Sequence, residues 1–275
     1  MAPQRSYTFD RSYDGRKELV SLPWHALHLA SCLNEARGQA WQGVAEWLVL
    51  AGSITSVQLD TTQHDANFGY CSAADRFDLA RQELLRKFAG GLTIFMFVWG
   101  ALEAAIDVIK PPKAPRGLPG GKIANTCRHL AKRFEFRPVI PELRTETLEF
   151  LEAANSCPGY EKVKLPSATL KHSGVAGAGL QSVYKVRNLF AHGALSFPMP
   201  DEDHRPVSGH AAMVFHATRV VLLSIQMLAL AHTDESDDLI PWDSEDGESD
   251  ETALSLVLRS CHLVQDDECP QSPLF

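Results

Sequence analysis

The sequence predicts an all-α protein, and three features carry that expectation. Leu, Ala and aromatic residues recur at three- and four-residue spacing through most of the chain, the repeat of an amphipathic helix. Alternation of Val, Ile and Thr with polar residues, the mark of half-buried strands, is scarce. The longest Pro- and Gly-rich stretch interrupts the periodic segments as a loop would. A chain of 275 residues that is 45% hydrophobic and 22% charged is long and apolar enough for one large globular domain, or one domain with a helical extension.

Residues 1–16 carry no periodic pattern. Helices are expected at 24–37 and 39–52, followed by polar sequence with Gly and Asn to about residue 71. Residues 1–71 thus read as an N-terminal helical extension. Ser72-Ala73-Ala74-Asp75 suits the start of a helix entering Arg76–Phe88. Gly90-Gly91 is then expected to break or kink the chain. Leu92–Ile109 is apolar enough to raise the question of a membrane span. Glu103 and Asp107, four apart, put two carboxylates on one face, which is costly in lipid and ordinary on a bundle helix. A bundle helix and no membrane partner are therefore expected.

Pro111 to Gly121 reads as a loop. It is basic enough to touch phosphate, although a plain connector is the weightier reading. Helices follow at 122–134 and 141–155. Cys157-Pro158-Gly159 and Lys164–Ser173 read as irregular. The next helix is expected from about Gly177 to His192, with Gly193 as its left-handed stop and Pro198 and Pro200 beyond. Ser208–His232 is a long apolar helix. Residues 72–232 together have the layout of a helical bundle. Residues 233–275 read as an acidic tail with a short packed segment at 253–264, either strand or helix.

The net charge of −8 is unevenly placed. Ten acidic residues and no Lys or Arg lie between Asp234 and Glu251, and Asp266, Asp267 and Glu268 follow. Residues 1–233 hold 21 acidic and 25 basic residues, so the body is about +4 and can approach a polyanion locally. The six cysteines are dispersed without a Cys-x-x-Cys pair. Neither a disulfide scaffold nor a structural zinc site is expected; Cys261-His262 with Cys269 leaves zinc one ligand short. No phosphate-binding Gly-x4-Gly-Lys-Ser/Thr loop occurs, and no cofactor is expected. The N-terminus lacks a basic-then-apolar leader, which predicts a cytoplasmic protein.

The segment Tyr184-Lys185-Val186-Arg187-Asn188-Leu189-Phe190-Ala191-His192-Gly193 concentrates the residue types of phosphodiester chemistry. Asn188 and His192, four apart, share a helix face. Arg187 lies five before His192, about 140° around an ideal helix. Convergence on one phosphate needs helix distortion near Gly193, the reach of the long Arg side chain, or a second copy facing the first.

This segment resembles the Arg-x4–6-His signature of the HEPN superfamily, in its form Arg-(Asn/Asp/His)-x3-His. The correspondence covers Arg187, Asn188 and His192. A looser likeness in helix layout extends over 92–232 and includes the aromatic, acid-bearing run Phe95 to Glu103. One departure stands out: Ala194 occupies the place where nucleotidyltransferase-paired toxins of the family carry the Tyr of His-x-Tyr.

The resemblance implies a homodimer whose two motifs line one cleft. It implies a metal-independent endoribonuclease acting as a toxin or antiviral-defence effector, held in check by an antitoxin or other regulatory protein. Arg187, Asn188 and His192 would be catalytic, with Lys185 and, more weakly, Glu103 as substrate-binding residues. In chemical terms an imidazole exchanges protons near neutral pH and can take the ribose 2′-hydroxyl proton or give one to the leaving 5′-oxygen. A guanidinium stays cationic and stabilises charge on the phosphorane. The alternative is a non-catalytic dimer module that binds RNA or a partner protein. A plain reading, in which Arg187 and His192 only complement the dipole at a helix end, also stands.

Overall fold

The computed structural model describes residues 18–37, 39–61, 71–134, 140–160, 167–194, 196–232, 239–243 and 249–264. It is all-α apart from one short hairpin. Among these residues the order is α1 (Leu22–Arg37), α2 (Gln39–Gly52), α3 (Ser72–Ile109), α4 (Lys122–Arg133), α5 (Glu142–Asn155), α6 (Ser167–Ala191), α7 (Gly209–His232), β1 (Leu239–Asp243), β2 (Ser249–Ala253) and α8 (Leu254–Ser260). The expected unpatterned stretch 1–16 and Cys269 lie outside the described residues.

Helix α7 is the axis of the molecule. Val220 to Ala229 is buried without a break, so α7 has no wet face over that span and its neighbours cover it on all sides. Helices α3, α5, α6, α1 and α8 all pack on it. The other helices are one-sided. In α2, Trp41, Val44, Ala45, Leu48 and Ala51 are buried at helical spacing, and α4 does the same with Ile123, Cys127, Leu130 and Ala131. A single apolar cluster runs from Leu22 and Leu29 of α1 through Phe95, Leu130, Phe150, Val183 and Leu223 to Leu258 of α8. The first two helices and the C-terminal helix therefore share the core of the bundle.

Two expectations are corrected. Gly90-Gly91 neither breaks nor kinks the chain: α3 runs unbroken for 38 residues. A helix-interior glycine costs about 1 kcal/mol relative to alanine. Burial of Leu84 and Phe88 before the pair, and of Ile94, Phe95, Val98 and Trp99 after it, outweighs that cost. A Cβ on Gly91 would lie 3.4 Å from Val214 Cγ1, so the glycine also brings α7 close. The second correction concerns 164–173, read as irregular. Helix α6 begins at Ser167, and its one non-helical residue is Gly174, at φ 59° and ψ −175°. Glycine adopts that conformation without steric penalty, so the chain turns there and resumes the helix.

The choice between strand and helix after residue 253 resolves as helix α8, with Leu254, Val257 and Leu258 buried. Just before it, β1 and β2 pair antiparallel with Leu239 opposite Ala253 and Asp243 opposite Ser249. This hairpin was not expected from a run so rich in acidic residues, which are poor strand formers. Helices α3 and α7 are each long and apolar enough to cross a membrane; in α7 that stretch is 89% buried within the protein, as for a core helix.

A buried polar chain fastens α1 and the α8 region to the bundle. His25 of α1 pairs through Nε2 with Gln226 Oε1 at 2.9 Å and through Nδ1 with Arg219 Nη1 at 3.0 Å, both on α7. Arg219 also donates to the Val20 carbonyl, and Gln226 to the Leu258 carbonyl. Gln226 Nε2 lies 3.0 Å from His262 Nδ1, whose Nε2 lies 3.2 Å from Glu142 of α5. Burial, with the Arg219 charge second, holds the His25 pKa well below the usual histidine value, so this ring is neutral. Burial likewise lowers Arg219 to about 10.

Candidate functional site

The site lies where the last turns of α6 cross α3. Phe190 fixes the crossing: its ring meets Phe88 and Phe95 of α3 edge-on, with centroids 6.4 and 5.9 Å away. Six residues earlier on α6, Tyr184 stacks on Trp99 at 6.2 Å with the planes 13° apart. Phe88 in turn meets His210 and Phe197. This aromatic ladder sets how α6 sits on α3 and so where its functional residues point.

Tyr184 and Arg187 are three apart on α6, and both face Trp99. The Arg187 guanidinium lies 5.7 Å from the Trp99 ring centroid, within cation–π range. Its Nη2 is 4.0 Å from Glu103 Oε1, at the limit of an ion pair. Trp99 Nε1 donates to the same Glu103 oxygen at 2.7 Å, which positions that carboxylate from within α3. Arg187 is 29% exposed, yet its Nε is buried without a hydrogen-bond partner. A partly exposed guanidinium, loosely matched by one carboxylate at 4.0 Å, retains capacity for an anionic ligand.

Lys185, Asn188 and His192 occupy a second stripe of α6, at i, i+3 and i+7. Lys185 and Asn188 are half-buried and His192 is exposed. The helix ends as expected. Gly193 takes φ 64°, its N–H donates to the Phe190 carbonyl at 3.1 Å, and the Ala194 N–H donates to the Leu189 carbonyl at 2.9 Å. This is the paired-bond stop of a Schellman motif, and it makes His192 the C-cap. The backbone from Arg187 to Ala191 is regular helix. Of the three routes to convergence of Arg187 with His192, helix distortion is thus absent. Among the described residues the His192 ring makes no hydrogen bond.

Other polar side chains of α3 and α7 have partners of their own. Asp107 pairs with Lys122 of α4 at 2.8 Å. His210 is buried, accepts or donates to Ser208 at 2.7 Å and Ser196 at 3.2 Å, and has its pKa lowered by burial; it staples the loop after α6. His216 meets Glu146 at 2.8 Å. His216 and His25 have partners distant in the chain, Glu146 and Gln226, which local sequence does not reveal. Among the described residues no group of three or more His, Cys, Asp or Glu is placed to hold a metal ion. Sequence reasoning gave no role to Trp99 or Tyr184. The available signal was the pair of short spacings, Trp99 to Glu103 and Tyr184 to Arg187, on helices expected to be neighbours.

Comparison with family models finds no match, and no curated protein or solved structure matches significantly.

Proposed function

We propose that this protein is a metal-independent endoribonuclease of HEPN type, acting as a homodimer. The observation that carries the reading is the state of Arg187: a partly exposed guanidinium held against Trp99, loosely matched by one carboxylate, on the same helix end as an exposed His192. Because the helix between them is regular, the two side chains project about 140° apart and the Arg187 guanidinium reaches toward Trp99 and Glu103 of α3, Arg187 of one copy acts with His192 of another. The imidazole moves the 2′-hydroxyl proton or protonates the leaving 5′-oxygen, and the guanidinium stabilises the phosphorane. Asn188, on the His192 face, orients the imidazole or holds phosphate. Products carry 2′,3′-cyclic phosphate and 5′-hydroxyl ends. A cytoplasmic toxin or antiviral-defence role, with an antitoxin or regulatory protein, belongs to the same reading.

Mixing two inactive variants tests the composite site. Arg187→Ala and His192→Ala chains, co-refolded in equal amounts, regain roughly a quarter of wild-type cleavage when each site takes Arg from one copy and His from its twofold mate. A site built within one chain regains nothing. The second reading, a dimer module that holds RNA or a partner protein without cutting it, draws on the absence of any described partner that orients the His192 ring. It predicts RNA binding that survives His192→Ala with no turnover in either protein.

A further inference from the structure

The densest positive charge in the chain is not at Arg187. Residues 110–134 contain seven Lys and Arg and no Asp or Glu. They form the connector after α3 and the whole of α4, and Lys110, Lys113, Arg116, Lys122, Lys132 and Arg133 are all exposed. Arg128 organises this surface: it donates through Nη1 to the Pro119 carbonyl and through Nη2 to Asn125, tying the Pro-rich connector to the side of α4. Among the described residues, Lys110, Lys113, Arg116, Lys132 and Arg133 have no carboxylate partner. Elsewhere on the surface Lys87 and Arg205 are paired with carboxylates. The positive field registers on His129 of α4, whose pKa is lowered by burial and then by Arg133, His232 and Lys132.

Two further facts identify the occupant. No large hydrophobic side chain is exposed anywhere in 110–134. A helix that lies on a membrane or docks in a protein groove needs apolar anchors, and this one has none to offer. The strip is also continuous with the candidate site. Lys122 pairs with Asp107, which lies one turn of α3 beyond Glu103, the carboxylate facing Arg187. Helix α4 packs along α6 itself: a Cβ on Gly177 would lie 2.6 Å from Cys127 Cβ.

We infer that the connector and the outer face of α4 form a phosphate-backbone track that guides single-stranded RNA to the Arg187 end of α6. This rests on the reading of that end as the RNA site. The contacts are to phosphate and carry no base preference, because no aromatic ring is exposed along the strip to stack on bases. Lys113 and Arg116 on the connector hold one stretch of backbone, and Lys132 and Arg133 at the C-terminal end of α4 another.

The test uses the full chain carrying His192→Ala, so that RNA is bound and not cut. A fluorescent 20-nucleotide oligouridylate is titrated at several salt concentrations. Lys132→Gln/Arg133→Gln and Lys113→Gln/Arg116→Gln are each expected to lower the slope of log K against log salt by about 1.4, if each side chain neutralises one phosphate of a single strand. At 0.1 M salt that corresponds to about 25-fold weaker binding for each pair. The control is Arg81→Gln/Lys87→Gln, about 30–39 Å along α3 from Asp107, which keeps the parental slope. All six positions are exposed, so folding is preserved.

Unchanged slopes in both track variants overturn the inference, as does binding of phosphatidylserine vesicles without binding of the oligonucleotide. The two readings fail separately. A wild type that cuts RNA while the track variants bind normally removes the track and leaves the nuclease. Loss of binding in the track variants of a protein that never cuts leaves the track and removes the nuclease.

Discussion

Gly177→Ala probes the packing of α4 against α6, the helix that carries Arg187 and His192. A Cβ at Gly177 would lie 2.6 Å from Cys127 Cβ, 2.8 Å from Cys127 Cα and 2.9 Å from the Cys127 carbonyl oxygen. Two of those atoms are backbone, so no rotamer change on α4 relieves the clash. Helix α4 must move away from α6 by several tenths of an ångström or more. Overpacking of this kind costs about 3 kcal/mol at the upper end. Alanine recovers about 1 kcal/mol of helix propensity, leaving a net loss near 2 kcal/mol. For a chain of this size that is a fall in Tm of roughly 4–8 °C. Gly43→Ala is the paired control: it lies on the exposed face of α2 with nothing within 4 Å of its Cβ position, and it is expected to gain up to about 1 kcal/mol. Urea unfolding of both variants beside wild type measures the difference, expected at about 3 kcal/mol. If Gly177→Ala is as stable as Gly43→Ala, α4 and α6 do not cross as described.

Three other variants test neighbouring parts of the account. His25 has a folded pKa below its unfolded value near 6.5. The unfolded chain therefore binds a proton that the folded site refuses as pH drops below that point, and stability is lost at up to about 1.4 kcal/mol per pH unit. His25→Gln is expected to flatten the dependence between pH 6.5 and 5.5 in urea unfolding; an unaltered slope refutes the assignment. Glu103→Gln keeps an acceptor for Trp99 and removes the charge beside Arg187, so stability changes by less than about 0.5 kcal/mol. RNA affinity at 0.1 M salt rises by up to about fivefold as one guanidinium is released, and a fall in titrated affinity counts against the site. Gly193→Ala forces a Cβ into φ 64° at the stop of α6 and is expected to cost about 1–2 kcal/mol; chemical denaturation without such a loss contradicts the Schellman geometry.

The helices were readable from sequence where one side of each faces the core. Helix α2 was placed at 39–52 because Trp41, Val44, Ala45 and Leu48 repeat at the helical period. The end of α6 was readable because Gly193 is the residue type that a left-handed stop requires. What local pattern missed depends on tertiary contacts. Burial of flanking residues carries α3 through Gly90-Gly91, and the left-handed Gly174 lets α6 start ten residues before its expected beginning at Gly177. The polar chain from His25 to Glu142 joins groups up to 201 residues apart. At the candidate site, Arg187, Asn188 and His192 stand out in the sequence through the resemblance of their segment to the HEPN signature. Their two-stripe arrangement, and the Trp99 platform under Arg187, required the α3–α6 crossing.

The central claim is tested most directly by incubating purified wild type and His192→Ala with RNA in excess EDTA and analysing the product ends. The account predicts cleavage by the wild type alone, with 2′,3′-cyclic phosphate and 5′-hydroxyl termini. Equal cleavage by His192→Ala, or wild-type products with 3′-hydroxyl and 5′-phosphate termini, would contradict it.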